Sequence, residues 1–157
     1  MSAVILFQNV PEEFVQLIDK FKEKLDEIVR AEIGDVVVQF VFVGQDEISE
    51  MNAKFRGKEG PTDVLTFVYG TEDSEFEPEL PVELEEGQRE IYAESYVCPS
   101  VVEENAREFG NSTEHEMITV LVHSILHMAG YDHEYGDVNA KEMFEKQENY
   151  VQKLLCE

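Results

Sequence analysis

The segment HSILHMAGYDH, residues 123–133, constrains the fold of this chain more than any other. It holds three of the chain's four histidines. His123 and His127 are four residues apart, so on an α-helix their side chains project from the same face, one turn apart. Gly130 follows, and glycine readily adopts the left-handed conformation in which helices end. The segment therefore predicts a helix ending near residue 129 and a turn that returns His133 toward the first two histidines.

Three imidazoles in this arrangement predict a zinc site. Three protein ligands with one open position are typical of catalytic zinc, whereas a structural site is usually closed by a fourth ligand, often cysteine. The two cysteines, Cys98 and Cys156, are far apart in sequence and form no metal-type pair. His115 lies outside the spacing, and we expect it at the surface. The expected ligands of one zinc ion per chain are His123, His127 and His133.

The spacing HxxxHxxGxxH is similar to the HExxHxxGxxH motif of the metzincin proteases. In that motif a general-base glutamate follows the first histidine, and Ser124 occupies this place here. A serine hydroxyl cannot do the proton work of a carboxylate at neutral pH. Peptide hydrolysis would therefore need another base. Glu116, about two helical turns before His123 on the same face, is one candidate, and it could instead orient a histidine.

The rest of the chain alternates between strand and helix patterns. The predicted strands are 3–8, 36–43, 64–69 and 91–97. The predicted helices are 11–31, 45–55, 99–109, 113–129 and 137–155. Inward-facing positions are expected in the last two helices, at Met117, Leu121, Ile125 and Met128, and at Val138, Phe144, Val151 and Leu154. The acidic segment 71–90, which contains Pro78 and Pro81, predicts a solvent-exposed loop.

The charge and composition of the chain argue against several classes of function. The net charge of −23 argues against broad, non-specific binding of nucleic acid, because the long-range field repels phosphate. No targeting segment is visible, and no apolar run approaches the roughly 20 residues needed to cross a bilayer. Two distant cysteines are typical of thiols in a reducing compartment. We expect a cytoplasmic protein without a membrane partner.

A second segment, MNAKFRGKEGPTDVLTFVYG at residues 51–70, concentrates positive charge. Lys54, Arg56 and Lys58 are three of the 12 basic residues of the chain, and they cluster at a predicted turn before a strand. Arginine presents a planar fork that can bind phosphate with two parallel hydrogen bonds, whereas lysine acts as a point charge. The cluster is either a solvent-facing turn or part of a phosphate-binding site.

The two segments together resemble the YbeY family, the bacterial endoribonucleases of ribosomal RNA maturation. HSILHMAGYDH is similar to the family signature H-G-x-L-H-L-x-G-Y-D-H, and NAKFRGKEGPTDVLTF is similar to N-x-x-x-R-x-x-x-x-P-T-D-V-L-S-F. AESYVCPSVVEENAREFG, residues 93–110, resembles a third, strand-and-helix block more loosely. Ser124 and Ala93 stand where the family usually has glycine, and the acidic segment 71–90 is not part of the pattern.

The resemblance implies an α+β fold for a single metal-dependent hydrolase domain, residues 1–157. This fold is a small mixed β-sheet of about four strands packed with helices, with the metal in a cleft on a central helix. The implied function is cleavage of single-stranded RNA in ribosomal RNA processing and ribosome biogenesis. The implied partners are ribosomal RNA, the small ribosomal subunit and assembly proteins. Arg56 would be catalytic or contact phosphate, Lys54 and Lys58 would add substrate contacts, and the PTDVLTF strand would line the cleft.

Three functions therefore remain to be distinguished. In the first, zinc activates water or polarises the phosphate of RNA while Arg56 stabilises the developing charge. In the second, the chain is a metal-dependent amide or peptide hydrolase of metzincin-like geometry, with Glu116 as its base. In the third, it is a ribosome-assembly binding module with structural zinc, and removing the metal would unfold it.

Overall fold

The structure is a computed structural model that describes residues 4–69, 91–130 and 137–156, without the side chains of Val4 and of residues 137–140. Three predictions concern residues or side chains that the structure does not describe. They are the exposed loop at 71–90, the return of His133, and the inward position of Val138.

The described chain forms four strands and five helices. The strands are β1 (Val4–Gln8), β2 (Val37–Phe42), β3 (Val64–Val68) and β4 (Ile91–Val97). The helices are α1 (Glu12–Glu32), α2 (Gln45–Arg56), α3 (Pro99–Phe109), α4 (Thr113–Met128) and α5 (Asp137–Cys156). These elements confirm the strand and helix pattern predicted from the sequence. None of these helices is long and apolar enough to cross a membrane.

The strands form one mixed sheet in the order β1-β2-β4-β3. β1 is parallel to β2 and β2 is parallel to β4, while β3 pairs antiparallel with β4. Parallel neighbours need a long crossover connection, and the 21-residue helix α1 supplies it between β1 and β2. The α+β prediction with a mixed sheet of four strands is confirmed. β3 is the last strand in this order, and α4 packs beside it.

The main core lies between one face of the sheet and α1, α4 and α5. α4 is the most deeply embedded helix, because side chains around most of its circumference are buried. The predicted core residues Met117, Leu121, Ile125 and Met128 are all buried. Removing this apolar surface from water stabilises the fold and fixes α4 relative to the sheet. A second, smaller cluster contains Ile48 of α2 together with Leu65 and Phe67 of β3.

In α5 the inward prediction was correct for Val151 and Leu154 and wrong for Phe144. Phe144 is 61% exposed, and Met143, the residue before it, is buried. Successive helical residues point about 100° apart, so a neighbour of an inward residue is turned well away from the core. Met143 fills the inward position of this turn, which leaves the Phe144 ring toward solvent.

An ion pair with a tyrosine contact ties α5 to the end of α1. The Glu32 side chain is only 8% exposed, and its two oxygens accept hydrogen bonds from Lys146 Nζ at 2.9 and 3.2 Å. The Tyr150 hydroxyl also donates to this carboxylate. Burial raises the pKa of Glu32, but the bonds from Tyr150 and Lys146 outweigh it and hold the pKa below its ordinary value of 4.5. Glu32 therefore remains ionised between the two helices.

A carboxylate also joins two strands of the sheet to the residue that follows β3. Glu94 of β4 accepts hydrogen bonds from the Tyr69 and Tyr96 hydroxyls at 2.5 and 2.8 Å, and from Gln39 Nε2 of β2 at 2.9 Å. Burial raises the pKa of both tyrosines, and the adjacent carboxylate raises it further. These phenols therefore stay protonated and act as donors.

The burial of α4 predicts a large cost for truncating its core side chains. Leu121→Ala should lower the free energy of unfolding by about 2–5 kcal/mol, because it removes buried methyl groups and leaves a cavity. Leu155→Ala makes the same change at an exposed position of α5. It should change stability by at most about 0.5–1 kcal/mol. Urea denaturation followed by circular dichroism measures both, and equal losses would contradict the assigned core.

The Glu32 contacts predict a specific dependence of stability on acid. A carboxylate whose pKa is lowered by folding contributes stability above its unfolded-state value, and this contribution is lost as the pH falls through the folded-state pKa. Glu32→Gln should therefore destabilise the protein near neutral pH by about 1.5–3 kcal/mol, and the difference from the wild type should shrink below about pH 4.5. Glu23→Gln, at an exposed position of α1, controls for the loss of one charge. A difference that is constant with pH would contradict the assignment.

Candidate active-site cleft

A cleft of about 610 Å³ lies where α4, β3, α5 and the loop after α2 meet. The walls contributed by α2, its following loop and β3 are Arg56, Thr62, Asp63, Val64, Leu65, Thr66 and Phe67. The walls contributed by α4 and α5 are Glu116, Thr119, Val120, His123, His127 and Gln147. Residues predicted from two distant motifs thus share one cavity.

One stripe of α4 faces this cleft. Glu116, Thr119, His123 and His127 are spaced by three or four residues, which places them along one side of a helix. Beyond the first turn the other sides of α4 are buried, so from residue 116 onward this stripe carries the polar groups that the helix presents to open space. The expected common face of Glu116, His123 and His127 agrees with this geometry.

The two histidines of α4 form a close pair. Their ring centroids are 4.7 Å apart, with an angle of 67° between the planes. His123 Nδ1 lies 2.7 Å from Gln147 Oε1 of α5. An amide oxygen accepts hydrogen bonds, so this contact suits the imidazole tautomer that carries its proton on Nδ1 and its lone pair on Nε2. A neutral imidazole oriented through its second nitrogen has the chemistry of a transition-metal ligand.

The third predicted ligand, His133, lies outside the described residues. Within the described ranges no group of three or more histidine, cysteine, aspartate or glutamate side chains is placed to hold a metal ion. Cys98 is buried in the smaller core cluster and Cys156 is exposed. The pair His123 and His127 fits two of the three protein ligands that are typical of a catalytic zinc site.

Ser124 does not point into the cleft. Its side chain is fully buried, and its hydroxyl donates to the Val120 carbonyl one turn earlier at 2.9 Å. The position after the first histidine therefore faces the core, about 100° around the helix from His123. This packing explains why a small residue stands there, and it leaves the position without a proton-transfer role.

Arg56 reaches the cleft because the loop after it is fixed. Arg56 is the last residue of α2, and Gly57 ends the helix in the left-handed conformation at φ 66°. The buried Asn52 donates from Nδ2 to the Gly60 carbonyl at 2.9 Å. Farther along, the Cys98 N–H donates to the Asp63 carbonyl at 2.9 Å. These bonds hold both ends of the loop and bring Arg56 beside β3.

The other two basic residues of this segment lie elsewhere. Lys54 and Lys58 are both exposed, and neither is part of the cleft wall as described. The Lys54 ammonium lies 5.1 Å from the centroid of the Phe55 ring, a cation–π distance. The structure therefore brings Arg56 together with the histidines and leaves the two lysines on the surface nearby.

Glu116 places a carboxylate in the cleft wall. It is only 8% exposed, and Asn111 Nδ2 lies 3.5 Å from its Oε1. A largely buried carboxylate in the same cleft wall as two imidazoles can accept a proton or a hydrogen bond from a bound molecule. The structure thus puts this predicted candidate in the right cavity.

The sequence interpretation missed Gln147. It lies on α5, far from both motifs, and nothing in the local sequence distinguishes it from other polar residues of that helix. Only the packing of α5 against α4 brings its amide to His123. By contrast, the expectation that the PTDVLTF segment lines the cleft agrees with the positions of residues 62–67.

Comparison with known proteins points to one family. The family model described as Endoribonuclease YbeY matches residues 7–155. The protein Endoribonuclease YbeY of Thermotoga maritima is 51% identical over 139 residues, covering 88% of this chain and 81% of that protein. The protein of the same name from Thermosipho melanesiensis is 41% identical over 138 residues, covering 87% of this chain and 88% of that protein.

A solved structure agrees with these sequence matches. The solution structure of TM1509 from Thermotoga maritima superimposes with a TM-score of 0.66 at 48% sequence identity. The match covers 96% of this chain and 88% of that chain. At 48% identity the two proteins resemble each other in sequence as well as in fold.

The buried hydroxyl of Ser124 predicts how substitutions there behave. Ser124→Ala should cost at most about 1.5 kcal/mol of stability, because the Val120 carbonyl loses only one additional donor. Ser124→Glu should destabilise the fold by about 3 kcal/mol or more, because it would bury an uncompensated charge in the core. Thermal or urea unfolding measures both. A stable Ser124→Glu variant that gains peptide cleavage would show that this side chain reaches the cleft after all.

Proposed function

Because this chain belongs to the endoribonuclease YbeY family, we propose that it is a metal-dependent endoribonuclease that cleaves single-stranded RNA in the cleft between α4 and β3. One observation supports this most directly: Arg56, His123 and His127 line the same cavity although they come from distant segments. A cation suited to phosphate and a histidine pair suited to a metal are groups that can support metal-dependent RNA cleavage. The whole of residues 1–157 would act as one hydrolase domain.

His123, His127 and His133 would hold one zinc ion per chain. A zinc ion bound there would supply Lewis acidity toward a phosphate oxygen and toward water. The chain's own contribution is to hold two imidazoles side by side on a rigid, buried helix. Such a preorganised pair needs little rearrangement when the ligand set is completed.

Arg56 would bind the scissile phosphodiester. Its guanidinium can form two parallel hydrogen bonds to phosphate oxygens and offset the negative charge that grows during cleavage. Lys54 and Lys58, exposed near the cleft, would contact neighbouring phosphates of the same strand. Their contribution would appear mainly in binding.

Glu116 would handle a proton within the cleft. Its carboxylate lies on the same stripe of α4 as the histidines, and it is shielded from bulk water. It would accept the proton released by the attacking group, which is water or the ribose 2′-hydroxyl, or hold that group in position through a hydrogen bond.

The physiological substrate would be ribosomal RNA during maturation. The chain carries 35 acidic and 12 basic residues, so its overall field repels free RNA. Presentation of the RNA on the small ribosomal subunit, or by an assembly protein, would compensate for this weak long-range attraction. We place this activity in the cytoplasm.

The test is cleavage of an end-labelled single-stranded RNA by four samples prepared identically. These are the zinc-loaded protein, the chelated protein, His127→Ala and Arg56→Ala. Only the zinc-loaded wild type should cleave well, and Arg56→Ala should be slower by about 10²–10³-fold, because the developing charge loses its partner. Lys54→Ala is the matched control, since it removes a nearby cation outside the cleft wall, and it should retain most of the rate.

The remaining outcomes separate the alternatives. Equal cleavage in all samples would mean a contaminating nuclease and would leave this assignment without support. Cleavage of a peptide library that is lost in Glu116→Gln, with no RNA cleavage, would favour an amide hydrolase. Loss of the cooperative thermal melt on chelation, without cleavage of either substrate, would favour a binding module with structural zinc.

A further inference from the structure

A hydrogen bond from α5 reaches the histidine pair of α4. Gln147 Oε1 lies 2.7 Å from His123 Nδ1, within the ordinary range for a strong contact. Both side chains are half-buried and both line the cleft. The contact spans 24 positions of sequence and is made only because α4 and α5 pack together.

The position of Gln147 is set by contacts on either side of it. Met143 and Val151, four residues before and after, are buried in the main core. Lys146 and Tyr150 both bond to Glu32 at the end of α1. α5 is therefore fixed against two other helices at the turn that carries Gln147, and its amide is presented to the cleft from a rigid element.

We infer that Gln147 is a positioning residue that selects the tautomer of His123. By accepting a hydrogen bond from Nδ1–H, its amide oxygen leaves the lone pair on Nε2, the nitrogen available to a metal. Histidine ligands are commonly oriented by such a partner on the second ring nitrogen, and removal of the partner typically weakens metal binding by about 10–100-fold. The inference rests on the proposed function for the metal, but the tautomer is a property of the metal-free protein.

A neutral acceptor also suits the substrate. In many metal sites a carboxylate accepts the hydrogen bond from the second ring nitrogen of a histidine ligand. A carboxylate would also make the imidazole a stronger ligand. It would also add a negative charge to the cleft of a chain that already carries a net charge of −23. A phosphodiester entering beside Arg56 would be repelled by that charge. The amide of Gln147 orients His123 without this repulsion.

The first measurement reads the tautomer directly. Nitrogen-15 NMR of the ring nitrogens in metal-free protein, at about pH 8 where an ordinary imidazole is neutral, should show His123 as the Nδ1–H form. In Gln147→Leu the same ring should shift toward a mixture of both tautomers. An Nε2–H tautomer in the wild type would overturn the inference, because the amide would then be donating instead of accepting.

The second measurement is zinc affinity, determined by competition with a chromophoric chelator. Gln147→Leu should raise the dissociation constant by about 10–100-fold, and Gln147→Glu should keep it within a few-fold of the wild type. Gln147→Glu should nevertheless cleave RNA with a raised KM and a nearly unchanged kcat. Gln152→Leu, at an exposed position of the same helix, is the matched control and should change neither quantity.

The outcomes distinguish this inference from the proposed function. Zinc binding of equal strength in the wild type and Gln147→Leu would overturn the positioning role and leave the metal proposal intact. Absence of zinc binding by the wild type would overturn the metal proposal, and the tautomer measurement would still decide the role of Gln147. If Gln147→Leu does not unfold cooperatively, the tautomer of His123 in the wild type and the zinc affinity of Gln147→Glu test the positioning role instead.

Discussion

The site depends on the burial of α4. A helix with apolar side chains around most of its circumference must be enclosed by the sheet on one side and by other helices elsewhere. That enclosure leaves one stripe facing open space, and the stripe carries Glu116, His123 and His127. The same hydrophobic packing that stabilises the fold therefore holds the polar groups in fixed positions. Rigid placement matters because both metal binding and phosphate chemistry require side chains held within small tolerances.

Ser124 shows how neighbouring residues serve the packing of the core and the polar wall of the cleft. His123 faces the cleft, and the next residue, rotated about 100° around the helix, faces the core. A small residue whose hydroxyl bonds to the Val120 carbonyl satisfies the core side without disturbing the cleft side. A carboxylate at this position would have to turn out of the core to reach the cleft.

The walls of the cleft come from four parts of the chain. The mixed sheet places β3 last in the strand order, next to α4, and the loop bonds made by Asn52 and Asp63 deliver Arg56 to the same place. α5 closes another side, and its contacts with Glu32 of α1 fix the turn that carries Gln147. In a chain with a net charge of −23, Arg56 supplies a cation to a wall that also contains Asp63 and Glu116.

The sequence by itself determined the elements and the chemistry of two motifs, because helix periodicity, strand alternation and ligand spacing are local properties. It predicted the four strands, the five helices and the common face of Glu116, His123 and His127, and the family match agrees with its resemblance. The predicted inward position of Phe144 was wrong, because a shift of one residue along a helix turns a side chain by about 100°. Only the tertiary structure decided the order of the strands, the meeting of Arg56 with the histidines, and the contact of Gln147. Those depend on packing between segments that no local pattern records.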